Sequence, residues 1–122
     1  MNKRLIFIIL SVLIITLCYL NIAAFSIELP ISKHKAILIA NNEVNQYGLN
    51  VNALKVEATK YNTPWNKYLP KDNKAYDNDR NKLKDREYWA VYYHNPIYKK
   101  GGDLCIFIDA NSGNVISKIR WK

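Results

Sequence analysis

The chain has 122 residues, a net charge of +8 and only two cysteines, Cys18 and Cys105. That length allows one small domain beyond a leader, and so few cysteines exclude a disulfide-stapled scaffold. No Gly-rich phosphate loop, no Gly-x-Ser-x-Gly and no His/Cys set at metal-ligand spacing occurs, so nucleotide, nucleophile-elbow and zinc chemistry have no footing in the residues.

Lys3 and Arg4 precede a run from Leu5 to Phe25 that is apolar apart from Ser11, Thr16 and Asn21. About 20 such residues suffice to cross a bilayer, and the preceding cations favour keeping that end in the cytoplasm. Residues 1–26 are therefore expected to be a transmembrane anchor or signal peptide. Residues 27–122 are expected to form a small domain outside the cytoplasm, at the cell membrane. A cleaved signal is the alternative. Ala24-Phe25-Ser26 offers a cut after Ser26, and Ile22-Ala23-Ala24 offers a second, giving a secreted or periplasmic product. The length of the apolar core favours retention. Cys18 follows Leu17 rather than a small residue, which argues against a lipid-modified cysteine. Without Lys3 and Arg4 the domain keeps a charge of about +6, suited to an acidic partner or to solubility alone. Nucleic acid is not expected as a partner of an exported domain.

Ile27-Glu28-Leu29-Pro30-Ile31 reads as an extended link, and Ser32 can cap the helix that follows. That helix is predicted over Lys33–Tyr47, with Ala36, Ile37, Ala40, Val44 and Tyr47 forming an apolar stripe and Gly48 ending it. Leu54–Thr59 alternates apolar and polar residues, the period of a strand with one covered face. Thr63-Pro64-Trp65 resembles a helix start, with room for one or two turns before Pro70. Lys71–Arg86 is polar, with alternating charges, and is expected to be a mobile loop or frayed helix rather than core.

Glu87–Tyr93 is rich in aromatics and β-formers, and Asn95-Pro96 ends it. Leu104–Asp109 is the next strand, and Val115–Trp121 completes a hairpin across Asp109-Ala110-Asn111-Ser112-Gly113. Helices first and consecutive antiparallel strands last indicate an α+β fold, one amphipathic helix packed on an antiparallel sheet of about four strands. Cys105 within the strand is expected to be a buried, inert thiol.

Within the first of these strands, Trp89, Val91 and Tyr93 share one face and Tyr88, Ala90 and Tyr92 the other. The first face is expected under the helix. The second leaves Tyr88 and Tyr92 as a candidate binding surface, framed by Lys99, Lys100, Lys118 and Arg120. His34 and His94 have no ligand neighbours in sequence. Asp109–Gly113 reads as a turn rather than a calcium loop, and nothing beside Glu87 or Asp103 points to acid–base work. No cofactor, metal or small-molecule ligand is expected.

Tyr88-Trp89-Ala90-Val91-Tyr92, then Gly101-Gly102-Asp103, Ile106-Phe107-Ile108-Asp109 and Ser112-Gly113-Asn114-Val115-Ile116 make a pattern that resembles small bacterial immunity proteins with a nuclear-transport-factor-like (cystatin-like) fold. It also resembles, as a second choice, the PepSY-type module of exported proteins. Ala36-Ile37-Leu38-Ile39-Ala40 fits the helix of either. The first resemblance implies a non-enzymatic, membrane-anchored or exported protein-binding domain acting as an immunity or inhibitor protein against a toxin. The second implies an envelope accessory domain modulating an exported protease. A small cell-envelope hydrolase is a third reading without a catalytic constellation behind it.

Overall fold

The computed structural model describes residues 2–25, 29–97 and 102–121, with side chains of the first helix described as far as Tyr19. Helix α1 covers Lys3–Phe25, and its described side chains are all exposed. At about 1.5 Å per residue, Lys3–Tyr19 rises roughly 25 Å, against a hydrocarbon core of ~30 Å. Among the described residues, no helix is long and apolar enough to cross a membrane. The rest of the expected span, residues 20–25, is helical in backbone, and its side chains lie outside the described residues.

Helix α2 spans Lys33–Gln46, with Ser32 Oγ accepting from the Lys35 N–H at 3.1 Å. This is the expected cap, and it satisfies one of the donors a helix start leaves orphaned. Ala36, Ala40 and Val44 are fully buried. They lie one turn apart, so the helix meets the sheet through two methyl groups and a valine, which permits close approach. Ile37 is only half-buried, and Tyr47 stands at the C-cap, outside the stripe.

Four strands form an antiparallel meander in the order β1-β2-β3-β4: Lys55–Tyr61, Tyr88–His94, Leu104–Asp109 and Val115–Arg120. The turn between β3 and β4 is closed by Gly113 N–H to Asp109 O at 2.9 Å. Gly113 has φ +76, and a Cβ there would sit 3.2 Å from Ile39 Cδ1 on α2. The left-handed backbone favours glycine, and a side chain there would also have to push the end of Ile39 aside by a few tenths of an ångström.

The two faces of the sheet are covered differently. Ala58, Val91, Tyr93, Leu104, Ile106 and Ile108 meet α2 in one core. Trp89 closes its edge, donating from Nε1 to Ile31 O at 3.2 Å. Tyr88, Ala90, Cys105 and Phe107 meet Tyr68, Leu69 and Leu83 in a second core on the opposite face. That second layer differs from the sequence reading in two places. No helix begins at Pro64. Asn66 Oδ1 accepts from the N–H groups of Tyr68 (2.8 Å) and Leu69 (3.0 Å), and these side-chain bonds compete with helix formation. Lys71–Arg86 is also not a loose loop. A 3-10 turn at Lys74–Tyr76 leads into helix α3, Asp77–Leu83, in which Arg80 and Leu83 are buried. The Arg80 guanidinium ties the segment together by donating to Pro70 O, Asn73 O and Asp77. Five donors in a planar fork can hold several carbonyls at once, so the charge is paired rather than stranded.

Leu83 is fully buried while Asn81 in the same helix is exposed. Leu83→Ala is expected to cost about 2–5 kcal/mol in denaturant unfolding, and Asn81→Ala within about 0.5 kcal/mol. Equal, small effects at both positions would mean that α3 is not part of the core.

Candidate functional site

The candidate residues separate into three groups. Tyr88 is fully buried. Its ring stacks on Tyr61 and meets Phe107 edge-on, each at 5.9 Å between centroids. Its hydroxyl donates to Thr63 O at 2.6 Å and accepts from Asn66 Nδ2 at 2.9 Å. Burial pushes this phenol up to about 12. Tyr92 is half-buried, stacked on Tyr68 at 4.8 Å. The expected Tyr88–Tyr92 surface therefore does not form, because residues 62–83 cover that face. Lys99 and Lys100 lie outside the described residues. Lys118 and Arg120 remain, and the fold brings them together.

Lys118 and Arg120 are two apart on β4, so both side chains emerge on the α2 face. They converge on Tyr47. Lys118 Nζ lies 5.5 Å, and Arg120 Cζ 5.8 Å, from the Tyr47 ring centroid, within cation–π range. Lys118 also donates to Glu43 Oε2 at 3.1 Å, and this bond raises its pKa. Tyr47 is 40 % exposed. It leaves the apolar stripe because it caps α2, its N–H bonding Val44 O at 3.1 Å before Gly48 turns the chain at φ +73.

Lys118, Glu43 and Tyr47, but not Arg120, border an open groove of about 450 Å³ at the Val115–Lys118 end of β4. Val115–Lys118 form its floor, Glu43 and Tyr47 of α2 one wall, and Asp79 and Lys82 of α3 the other. Ser117 Oγ donates to Asp79, fixing α3 against the strand. The phase of the β3–β4 ladder determines which backbone groups face this groove. Trp121 N–H bonds Asp103 O at 3.0 Å. The register then runs Leu104↔Arg120, Cys105↔Ile119, Ile106↔Lys118. In an antiparallel pair, bonded and non-bonded positions alternate. Ile119 accordingly bonds to β3, and the N–H and C=O groups of Lys118 and Arg120 point outward. No strand lies beyond β4 among the described residues.

A polar cluster that sequence reasoning missed ties the end of β2 to the start of β3. Asp103 accepts from Tyr92 OH and from the Asn95 N–H at 3.0 Å, and lies 3.0 Å from His94 Nδ1. Burial raises the Asp103 carboxyl, but the hydrogen bonds from Tyr92, Asn95 and His94 outweigh it and leave its pKa lowered. An ionised Asp103 is acceptor-only, which places the proton on His94 Nδ1. Such a pair can orient a base for a nucleophile. Among the described residues, however, His94 bonds Asp103 and no hydroxyl or thiol. Cys105 is buried, and its thiol is pushed well up by desolvation, so it is not a reactive thiolate. The one signal in the sequence was Asp103 placed directly before a fully apolar strand, where a carboxylate requires partners.

A second open groove, of about 580 Å³, has Trp65 on its wall, 44 % exposed. Lys71 already covers that ring, 4.9 Å from its centroid. Among the described residues, no group of three His, Cys, Asp or Glu side chains could hold a metal ion. No protein-family model, curated protein or solved structure matches the chain.

Two measurements test this geometry. In amide hydrogen exchange, Lys118 and Arg120 are expected to exchange much faster than Ile119 between them. Uniform protection across the three would place the ladder in another phase. Asp103 has a folded pKa below its ordinary 3.8. Its contribution is therefore complete above that value and lost as pH falls through it toward the lower folded pKa. Asp103→Asn is expected to flatten the acid limb of stability against pH below about pH 5. An acid limb identical to wild type would show that the cluster contributes nothing.

Proposed function

We propose that the chain is a membrane-tethered, non-enzymatic domain that binds a protein partner outside the cytoplasm, as an inhibitor or immunity protein does. The observation that carries this reading is α1. Apolar side chains are exposed all round it, with Phe7 at 74 %, Ile15 at 68 % and Tyr19 at 75 %. A helix apolar on every side suits lipid rather than water. Its serine and threonine among the described side chains satisfy themselves on the helix, Ser11 on Phe7 O and Thr16 on Val12 O, each at 2.8 Å. That is the form in which such groups are tolerated in a bilayer. The 23-residue backbone helix would rise about 35 Å, and Lys3 and Arg4 precede the apolar run.

Binding is favoured over turnover by what the domain offers. Its grooves are open, its His94–Asp103 pair lacks a nucleophile among the described residues, and the edge of β4 carries outward backbone groups with no further strand beside them among the described residues. The resemblance of β2–β4 to immunity families supplies the kind of partner, a toxin that acts at or across the envelope.

The full-length chain is expected to stay with membranes after alkaline carbonate washing and to be digested by protease added to spheroplasts. Val12→Arg combined with Ile15→Arg is expected to release it, since each cation at mid-helix costs about 2.5–3.5 kcal/mol of insertion. Recovery of the unaltered full-length chain in the soluble cytosolic fraction would overturn the tether. Coexpression with a secreted toxin encoded beside it is expected to restore growth, and continued killing would remove the inhibitor role.

A further inference from the structure

Resting on the reading of the domain as a protein-binding module, we infer that the partner binds as an added β-strand along the outer edge of β4, and that this strand carries two acidic side chains separated by one residue. Three observations converge on it. Among the described residues the outward N–H and C=O groups of Lys118 and Arg120 form an unpaired row, a ready template for another strand. The groove walled by α2 and α3 meets that row at Lys118 and continues from it toward Val115, so an extended segment paired with Lys118 and Arg120 would enter it at one end. The side chains beside the open row, Lys118 and Arg120, stand at the two-residue spacing of a strand, facing the same way. Side chains directly opposite on neighbouring strands lie about 5 Å apart, and opposite charges there attract while like charges repel. An acidic–x–acidic segment therefore matches Lys118 and Arg120 in one register, with its middle side chain turned toward Ile119 on the α3 face.

The same two cations decide between occupants. Pairing of two β4 edges from two copies would set Lys118 and Arg120 of one against those of the other, so a second copy is disfavoured. Among the described residues, Arg120 has no carboxylate partner, and Lys118 has only Glu43. An incoming carboxylate thus gains Arg120 outright and shares Lys118. On the opposite edge, β1, Glu57 is paired with Lys67 and Lys60 with Glu87, and Lys55 is without a carboxylate partner among the described residues. Lys55 is followed at two-residue spacing by Glu57, so that edge does not present two like charges to an acidic–x–acidic segment.

The test uses the full-length chain, isotope-labelled in zwitterionic detergent micelles. The probe is the peptide acetyl-Thr-Glu-Val-Glu-Val-Thr-amide, beside a version with lysine at both acidic positions. The acidic peptide is expected to give saturable shifts and slowed exchange at the Lys118 and Arg120 amides, with contacts between its own amides and theirs. The basic peptide is expected to bind at least about tenfold more weakly, as like charges are brought into register. Lys118→Gln with Arg120→Gln is expected to weaken the acidic peptide by roughly tenfold while leaving the shifts at the same amides. Arg120→Pro removes an outward N–H without breaking the ladder. It is expected to keep the melting temperature near wild type and to abolish binding at the edge. If Arg120→Pro unfolds the domain, the glutamine pair still reads the charge dependence.

Equal binding of both peptides, shifts centred on Trp65 instead, or concentration-dependent protection of β4 without peptide would each overturn the inference. So would no binding by a chain that still stays with membranes and protects against a toxin, an outcome that leaves the tethered-inhibitor reading standing. A chain recovered from cytosol that nevertheless binds the acidic peptide at β4 would do the opposite, supporting the edge and removing the tether.

Discussion

Strand β3 has no solvent-facing side. Leu104–Ile108 are all buried, so the sheet cannot be the usual half-wetted antiparallel layer and must be covered on both faces. A short domain has one good amphipathic helix for this, and α2 takes the face of Leu104, Ile106 and Ile108. The other face, with Cys105 and Phe107, falls to a segment that is neither helical throughout nor apolar in composition. Residues 62–83 cover it with the buried rings and aliphatic chains of Tyr68, Leu69 and Leu83, and hold their own backbone through the buried Asn66 and Arg80. The rest of the architecture follows from this two-sided demand. α2 and α3 stand on opposite faces of the sheet, and the edge of β4 is left as a slot between them.

The parts of the fold written in local chemistry were legible. Ser32 before the helix, Gly48 after it, the alternation in β1 and the Asp109–Gly113 turn each depend on residues close in sequence. The second layer depends on residues far apart and was not legible. Nothing near Asn66 says that its amide will bond the hydroxyl of Tyr88, and nothing near Arg80 says that it will gather the carbonyls of Pro70 and Asn73. Charge-rich composition suggested a loose loop, and two buried polar hubs made it ordered. The signal that could have corrected this was β3 itself. An unbroken apolar run between turns requires cover on both sides, and Lys71–Arg86 was among the little chain left to supply it.

The candidate site was half legible for a related reason. Alternation on the last strand placed Lys118 and Arg120 on one face. It could not say that the face was that of α2, nor that Tyr47 would leave its stripe at the helix cap to lie beneath them. Tyr88 and Tyr92 failed as a surface because an aromatic strand next to an unassigned segment reads as exposed only while that segment is thought mobile. Once residues 62–83 pack down, Tyr88 becomes a hub of the second core. Tyr92 then turns its hydroxyl to Asp103, where it helps fasten the connection between β2 and β3.

An unpaired strand edge is a hazard unless something limits what can join it. Natural sheets commonly answer with charged side chains on the edge, which repel a like copy. On β1 Glu57 and Lys60 are matched within the domain and Lys55, among the described residues, is not, so that edge carries a mixed set of charges guarded by their solvation. On β4 they are of one sign and only partly matched, and Lys118 borders an open groove. Cations matched by neighbouring carboxylates would repel a second copy less and would offer an acidic strand little attraction. Leaving Arg120 unmatched among the described residues keeps the repulsion toward a second copy and adds an attraction toward an acidic strand. The two side chains that prevent self-association therefore also set the chemistry of the partner, and the domain's basic charge of about +6 draws that partner from the same direction.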